Sequence, residues 1–176
     1  ASIGDGDSEA EPSITEAELR TMIDISDAKG AIEPAEAEML ESVFRFGNTQ
    51  VRDMMTPRTE IVSIERGATL REFLEIYVEH SHTRFPVYKE SVDNVVGILS
   101  AKDVLKALST HGIRDDDRVT DVIRDAYFVP ETKRIAELFD ELRGTGNQIA
   151  IAIDEFGGIA GLVTLKRLLE EVVGRV

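Results

Sequence analysis

The 176-residue chain has no cysteine, 42% hydrophobic side chains and a formal net charge of −14. Disulfides and thiolate metal centres are therefore excluded, a reducing compartment is expected, and the acidic balance argues against nucleic acid or an anionic membrane, both of which need a basic face. The length suits one medium or two small cores, no apolar run approaches the ~20 residues of a membrane helix, and no leader peptide is expected.

Residues 1–12 are small, polar and acidic and read as a disordered tail or an expression remnant. Residues 13–50 read as an acidic helical linker. Thr15 with Glu18 three positions on predicts a capping box, Leu19, Met22 and Ile23 form an apolar stripe, and Gly30 ends the helix. A second helix starts at Pro34 and runs through Met39, Leu40, Val43 and Phe44 to about Gly47. The helices are expected to pack on the remainder of the chain or to link it to an upstream segment. Their carboxylates read as a solvated face, with direct Mg2+ sensing by clustered carboxylates as the alternative.

Residues 51–110 and 119–176 then read as two copies of one unit joined by a linker at 111–118. Each copy has a short helix or turn (51–55; 119–123), a strand (61–64; 127–129), a helix (70–80; 135–144), two strands and a closing helix (103–108; 166–173). In the first copy, strands at 84–88 and 95–99 flank a polar turn at 89–94. Gly161 stands 64 residues after Gly97, and Thr164 stands 64 after Ser100. A glycine inside a strand marks close approach by a ligand or by another backbone. The expected class is α+β, two β-α-β-β-α repeats preceded by two short acidic helices.

Ser100, three residues before Asp103, and its counterpart Thr164 fall where helices begin. Free N–H groups and a positive dipole there suit a phosphate or a ribose, although a plain N-cap explains the same pattern. Catalysis has little support: the sequence offers no nucleophile–base pair and no GxxxxGK[ST] loop, and the DEFGG stretch at 154–158 lacks the partners of a kinase metal motif. His80, His82 and His111 do not converge on a metal set, and no zinc site is expected.

The order of elements and the paired hydroxyl positions resemble a tandem CBS-domain pair, or Bateman module. More narrowly, EAEMLESVFRFGNTQVRDMMTPR (36–58), HTRFPVY (82–88), DEFGGIAGLVTL (154–165) and LLEEVVG (168–174) resemble the CorB/CorC/CNNM magnesium-transport family. The resemblance covers nearly everything from Glu33 onward. It implies a cytosolic regulatory module that is not an enzyme, set behind a transmembrane transporter domain that this chain lacks. It also implies Mg-ATP in the cleft between repeats, with Mg2+ on the ATP phosphates rather than on side chains, homodimerisation into a flat disc, and coupling of nucleotide state to ion export.

In such pairs the threonine opening one repeat faces the hydroxyl-x-x-acid segment of the other. The resemblance thus implies one ATP pocket of Thr56, His82, Arg84, Leu162, Thr164 and Arg167. A second would combine Ser100, Asp103 and Arg124 with residues 147–148. Arg167 stands where the family has a ribose-binding aspartate, and Arg124 replaces the threonine. The first pocket is preferred, because the planar fork of Arg84 suits phosphate oxygens and magnesium can enter already bound to them. A purely structural dimerisation module with decayed pockets is the competing reading.

Overall fold

A computed structural model describes residues 13–174; the tail expected at 1–12 lies outside the described residues. The chain divides after Arg45 into two compact units.

The first unit is helical. α1 (Glu16–Ala28) begins at the expected capping box: Thr15 Oγ1 accepts from Glu18 N at 3.2 Å, and the Glu18 carboxylate accepts from Thr15 N at 3.3 Å. Gly30, at φ +71°, takes the left-handed turn that ends it. α2 (Pro34–Asn48) opens on its proline. Arg20 ties the helices together, reaching Glu41 at 3.4 Å and lying 5.3 Å over the Phe44 ring. No residue of either helix is buried.

The second unit carries the repeats. After α3 (Val51–Met54) come β1 (Thr56–Pro57), β2 (Ile64–Glu65), α4 (Leu70–His80), β3 (Arg84–Lys89), β4 (Ser91–Ser100) and α5 (Ala101–His111). The second half supplies β5 (Phe128–Pro130), α6 (Ile135–Thr145), β6 (Ile149–Ile153), β7 (Ile159–Thr164) and α7 (Leu165–Val173). One sheet has the order β2-β3-β4, and the other β1-β7-β6-β5. In each, a short strand runs parallel to the first arm of an antiparallel hairpin. The apolar alternation of the strands fills two cores, one around Phe73, Phe85, Leu99 and Val104, the other around Leu138, Leu142, Ala150 and Leu168. A third cluster, Ile98, Ile149, Ile151 and Ile159, joins residues from both sheets.

The repeats are interlocked. β1 leaves its own copy and pairs with β7 of the other, Thr56 opposite Leu162, while Val51 and Met54 sink into the second core. The reverse exchange has the same form. Arg124 bridges to Ile98 through N–O bonds of 2.8 and 2.9 Å, and Val119 is buried in the first core. Both strand glycines are explained by this. A Cβ on Gly97 would stand 2.7 Å from the Arg124 carbonyl oxygen, and one on Gly161 2.6 Å from that of Thr56. The close approach is by backbone.

Two local expectations are corrected and a third is made specific. The strand expected at 61–64 reduces to β2, because the chain leaving β1 must first turn back through a 3-10 helix at Arg58–Glu60. The polar turn expected at 89–94 shrinks to Glu90, at φ +69°, since Lys89 and Ser91 are already paired. Asp93 enters the strand because Arg58 at 2.7 Å and Ile159 N at 3.2 Å hold its carboxylate. The helix or turn expected at 119–123 is a 3-10 helix, Thr120–Val122, pinned where the buried Thr120 hydroxyl accepts from Gly67 N at 2.8 Å.

Candidate functional site

The interlock leaves cavities where the two repeats meet. One, of about 260 Å³, is lined by Thr56, His82, Arg84, Leu162, Thr164 and Arg167, all six residues expected for the first pocket. Each arrives for a local reason. The β1–β7 pairing sets Thr56 beside Leu162. Thr164 caps α7, its hydroxyl accepting from Arg167 N at 3.1 Å. Arg84 opens β3 opposite Ser100. A left-handed turn at Ser81 (φ +54°) leads the chain out of α4 into His82, whose ring stacks on His80 with centroids 6.2 Å apart.

The charges inside are unevenly committed. Arg167 pairs with Glu171 at 3.2 Å and Glu170 at 3.9 Å on its own helix. Arg84 makes no ion pair among the described residues, which leaves its guanidinium the free cation of the cavity. Position 167 supplies no carboxylate; among the lining residues Glu60 alone does. Glu60 and the apolar wall of Ile61, Val62, Pro86 and Ile149 were not anticipated. The signal for the wall was the apolar 61–62 and the Pro86 of HTRFPVY, which patterning alone assigns to strand interior.

A second cavity, of about 240 Å³, is lined by Ser100, Arg124, Asn147 and Gln148, with Arg84 shared between the two. Asp103 does not line it. Its carboxylate is held in a bidentate fork by Arg124, Nε to Oδ2 at 2.6 Å and Nη2 to Oδ1 at 2.8 Å. The arginine that replaces a threonine has thus taken the acid expected to serve the pocket.

The same fork holds the Asp103 carboxyl below the usual carboxylate range, opposed by its burial. A carboxylate lowered in the folded chain stabilises fully above its unfolded value of about 3.9 and loses that contribution as pH falls through the folded value. Arg124 is 66% exposed, so solvent screens the pair. Arg124→Ala is expected to cost about 0.5–1 kcal/mol near neutral pH, a gap that narrows as pH falls through the lowered folded value of Asp103. Urea unfolding near neutral pH and in acid measures it; a gap indifferent to pH removes the electrostatic account.

Among the described residues, no group of three or more His, Asp or Glu side chains is placed to hold a metal ion, and no helix is long and apolar enough to cross a membrane.

Comparison with known proteins extends these observations. The CBS domain profile matches residues 51–110 and 119–174. The magnesium and cobalt efflux protein CorC of Escherichia coli K12 is 38% identical over 159 residues, 90% of this chain and 54% of its own length. A UPF0053 protein of Mycobacterium tuberculosis is 39% identical over 167 residues, 94% of this chain and 38% of its own length. The chain therefore spans about half or less of the curated relatives it matches. A solved CBS domain of the bacterial CNNM/CorC family Mg2+ transporter superposes with a TM-score of 0.84 at 43% identity, covering 93% of this chain and 99% of that one. Another, in complex with ATP, has a TM-score of 0.75 at 45% identity and covers 81% of this chain and 100% of that one. The interlocked repeats, the matched profile and this likeness agree: the chain belongs to the CBS domain family, as a tandem pair of the CNNM/CorC Mg2+ transporter group.

Proposed function

We propose that the chain is a regulatory module of a divalent-cation transporter, binding Mg-ATP in the cavity of Thr56, Arg84 and Thr164. The observation that carries this is the free Arg84 guanidinium in a cavity lined by apolar side chains and three threonines, Thr56, Thr83 and Thr164. The ATP complex of a 45%-identical relative supports it.

The division of labour follows from the chemistry. Ile61, Val62, Ile149 and Leu162 offer an apolar wall for a base. The threonine hydroxyls and Glu60 offer partners for ribose hydroxyls, in place of the missing acid at 167. Arg84 faces the phosphates with a planar fork, and His82 adds ring N–H capacity. Magnesium prefers phosphate oxygens and waters, so it is expected on the nucleotide, where it offsets charge in an acidic protein.

The same proposal places the module at the cytoplasmic face of a membrane, attached to a transmembrane transporter part. It spans repeats at 51–110 and 119–176 around a linker at 111–118, works as a homodimer and does not turn ATP over. Exposed apolar side chains on α4 (Leu74, Tyr77, Val78) and α5 (Leu105, Leu108) offer a face for self-association. The ligand-free structural reading draws on Arg167, which spends its charge on its own helix.

Isothermal titration with ATP and AMP, each with and without Mg2+, separates the readings. The expected result is ATP binding that strengthens with Mg2+. A chain that binds no adenine nucleotide under any of these conditions is the structural module instead.

A further inference from the structure

We propose that a further cavity, between the 3-10 helix at Arg58–Glu60 and the two hairpins, is a binding site for a small uncharged molecule with an apolar body and one polar edge. The claim goes beyond nucleotide binding and does not depend on it.

This cavity measures about 280 Å³ and is walled by Ile61, Pro86, Val92, Val95, Ile151 and Ile159. It shares Ile61 and Pro86 with the nucleotide cavity, but none of Thr56, Arg84 and Thr164 lines it. Its rim is braced. The Asp93 carboxylate pairs with Arg58 at 2.7 Å and accepts from Ile159 N at 3.2 Å, so one side chain clips the tip of the β3–β4 hairpin to the 3-10 helix and to β7. Register shifts on either side of Tyr88 mark a bulge in the β3–β4 ladder, a device that re-aims side chains.

The lining selects the ligand. The hydroxyls of Thr59, Ser63 and Tyr88 make no side-chain hydrogen bond among the described residues, and Ser63 and Tyr88 are half-buried. Each can donate or accept. Arg58 is the one charged residue of the lining, and Asp93 already meets its charge. An ion would therefore enter an apolar enclosure without a free counter-charge, which is costly. An apolar body with a hydroxyl or amide edge meets both the wall and the waiting hydroxyls, and a few polar groups in an apolar concavity are the usual make-up of a small-molecule site. The second repeat has no equivalent. Val87 stands opposite Gly97 as Ala152 stands opposite Gly161, so Ile153 is the counterpart of Tyr88 and brings no hydroxyl.

The test titrates the whole chain with benzyl alcohol while backbone amide shifts are followed by NMR, and repeats the titration with its charged relative benzoate. Saturable binding of benzyl alcohol is expected, with shifts centred on Ile61, Tyr88 and Ile159, and benzoate should bind about tenfold more weakly. Tyr88→Phe should weaken benzyl alcohol about three- to tenfold and leave the melting temperature unchanged, because the hydroxyl has no protein partner to lose. Val95→Phe, which fills the cavity, should abolish binding. Saturating Mg-ATP should change the titration little. Absence of saturable binding, shifts centred elsewhere, equal affinity for benzoate, or an affinity indifferent to Tyr88→Phe each overturns the proposal. So does competition by Mg-ATP, which would put the probe in the nucleotide cavity. If ATP does not bind, the titrations without nucleotide decide alone, so the two readings fail separately.

Discussion

Arg84→Leu is expected to weaken Mg-ATP binding by about 1.5–3 kcal/mol, roughly ten- to a hundredfold, with little change in melting temperature. The asymmetry between the two effects follows from the geometry. Arg84 makes no ion pair among the described residues, so its removal breaks no charged contact in the free protein. It deprives the ligand of the uncommitted cation in the cavity, in a chain whose net charge of −14 otherwise repels phosphates. Arg84→Lys keeps the charge but loses the planar fork and should fall between the two. Titration calorimetry measures all three proteins; an affinity unmoved by leucine sinks the assignment of phosphate recognition to this residue.

Gly161→Val should damage the protein most. Even the first side-chain carbon would lie 2.5 Å from the Met55 sulfur and 2.6 Å from the Thr56 backbone oxygen. The sulfur is the far end of a flexible chain and can swing aside; the carbonyl belongs to β1 and cannot move without breaking its pairing with β7. Overpacking of this kind costs about 1–3 kcal/mol, so the melting temperature should fall by roughly 2–12 °C. The displaced strand carries Thr56 into the cavity, so nucleotide affinity should fall with stability. Gly161→Ala, with the same first carbon, should show most of the effect. A valine variant that melts like the natural chain would mean that β1 is not held against β7.

The repeat architecture was legible because its signals are local. The capping box at Thr15 and Glu18, the span of α4 and the glycines at 97 and 161 depend on short-range chemistry, and each has a structural counterpart. What eluded the sequence is the exchange between copies. Nothing within residues 51–57 reports that their partner strand lies a hundred residues away, so β1 was not anticipated and β2 was drawn too long. The residues of the first cavity could be named together through family likeness, not through spacing. Glu60 and the apolar wall needed the fold, because Glu60, Ile61 and Val62 look like ordinary strand and turn residues and meet Pro86 of β3 and Ile149 of β6 only in the folded cavity. The capture of Asp103 by Arg124 needed coordinates as well: the substitution was visible, its bidentate geometry was not.

The crossing of β1 into the second sheet and of Arg124 onto Ile98 means that neither copy is a free-standing object. A forebear with a single copy would have an open seam and could close it only by clasping a twin chain in the same way. In this chain the clasp is made within one molecule, β1 on β7 and Arg124 on Ile98. Whatever lodges in the seam touches both halves at once, so its arrival or departure registers as a change in how tightly the molecule grips itself.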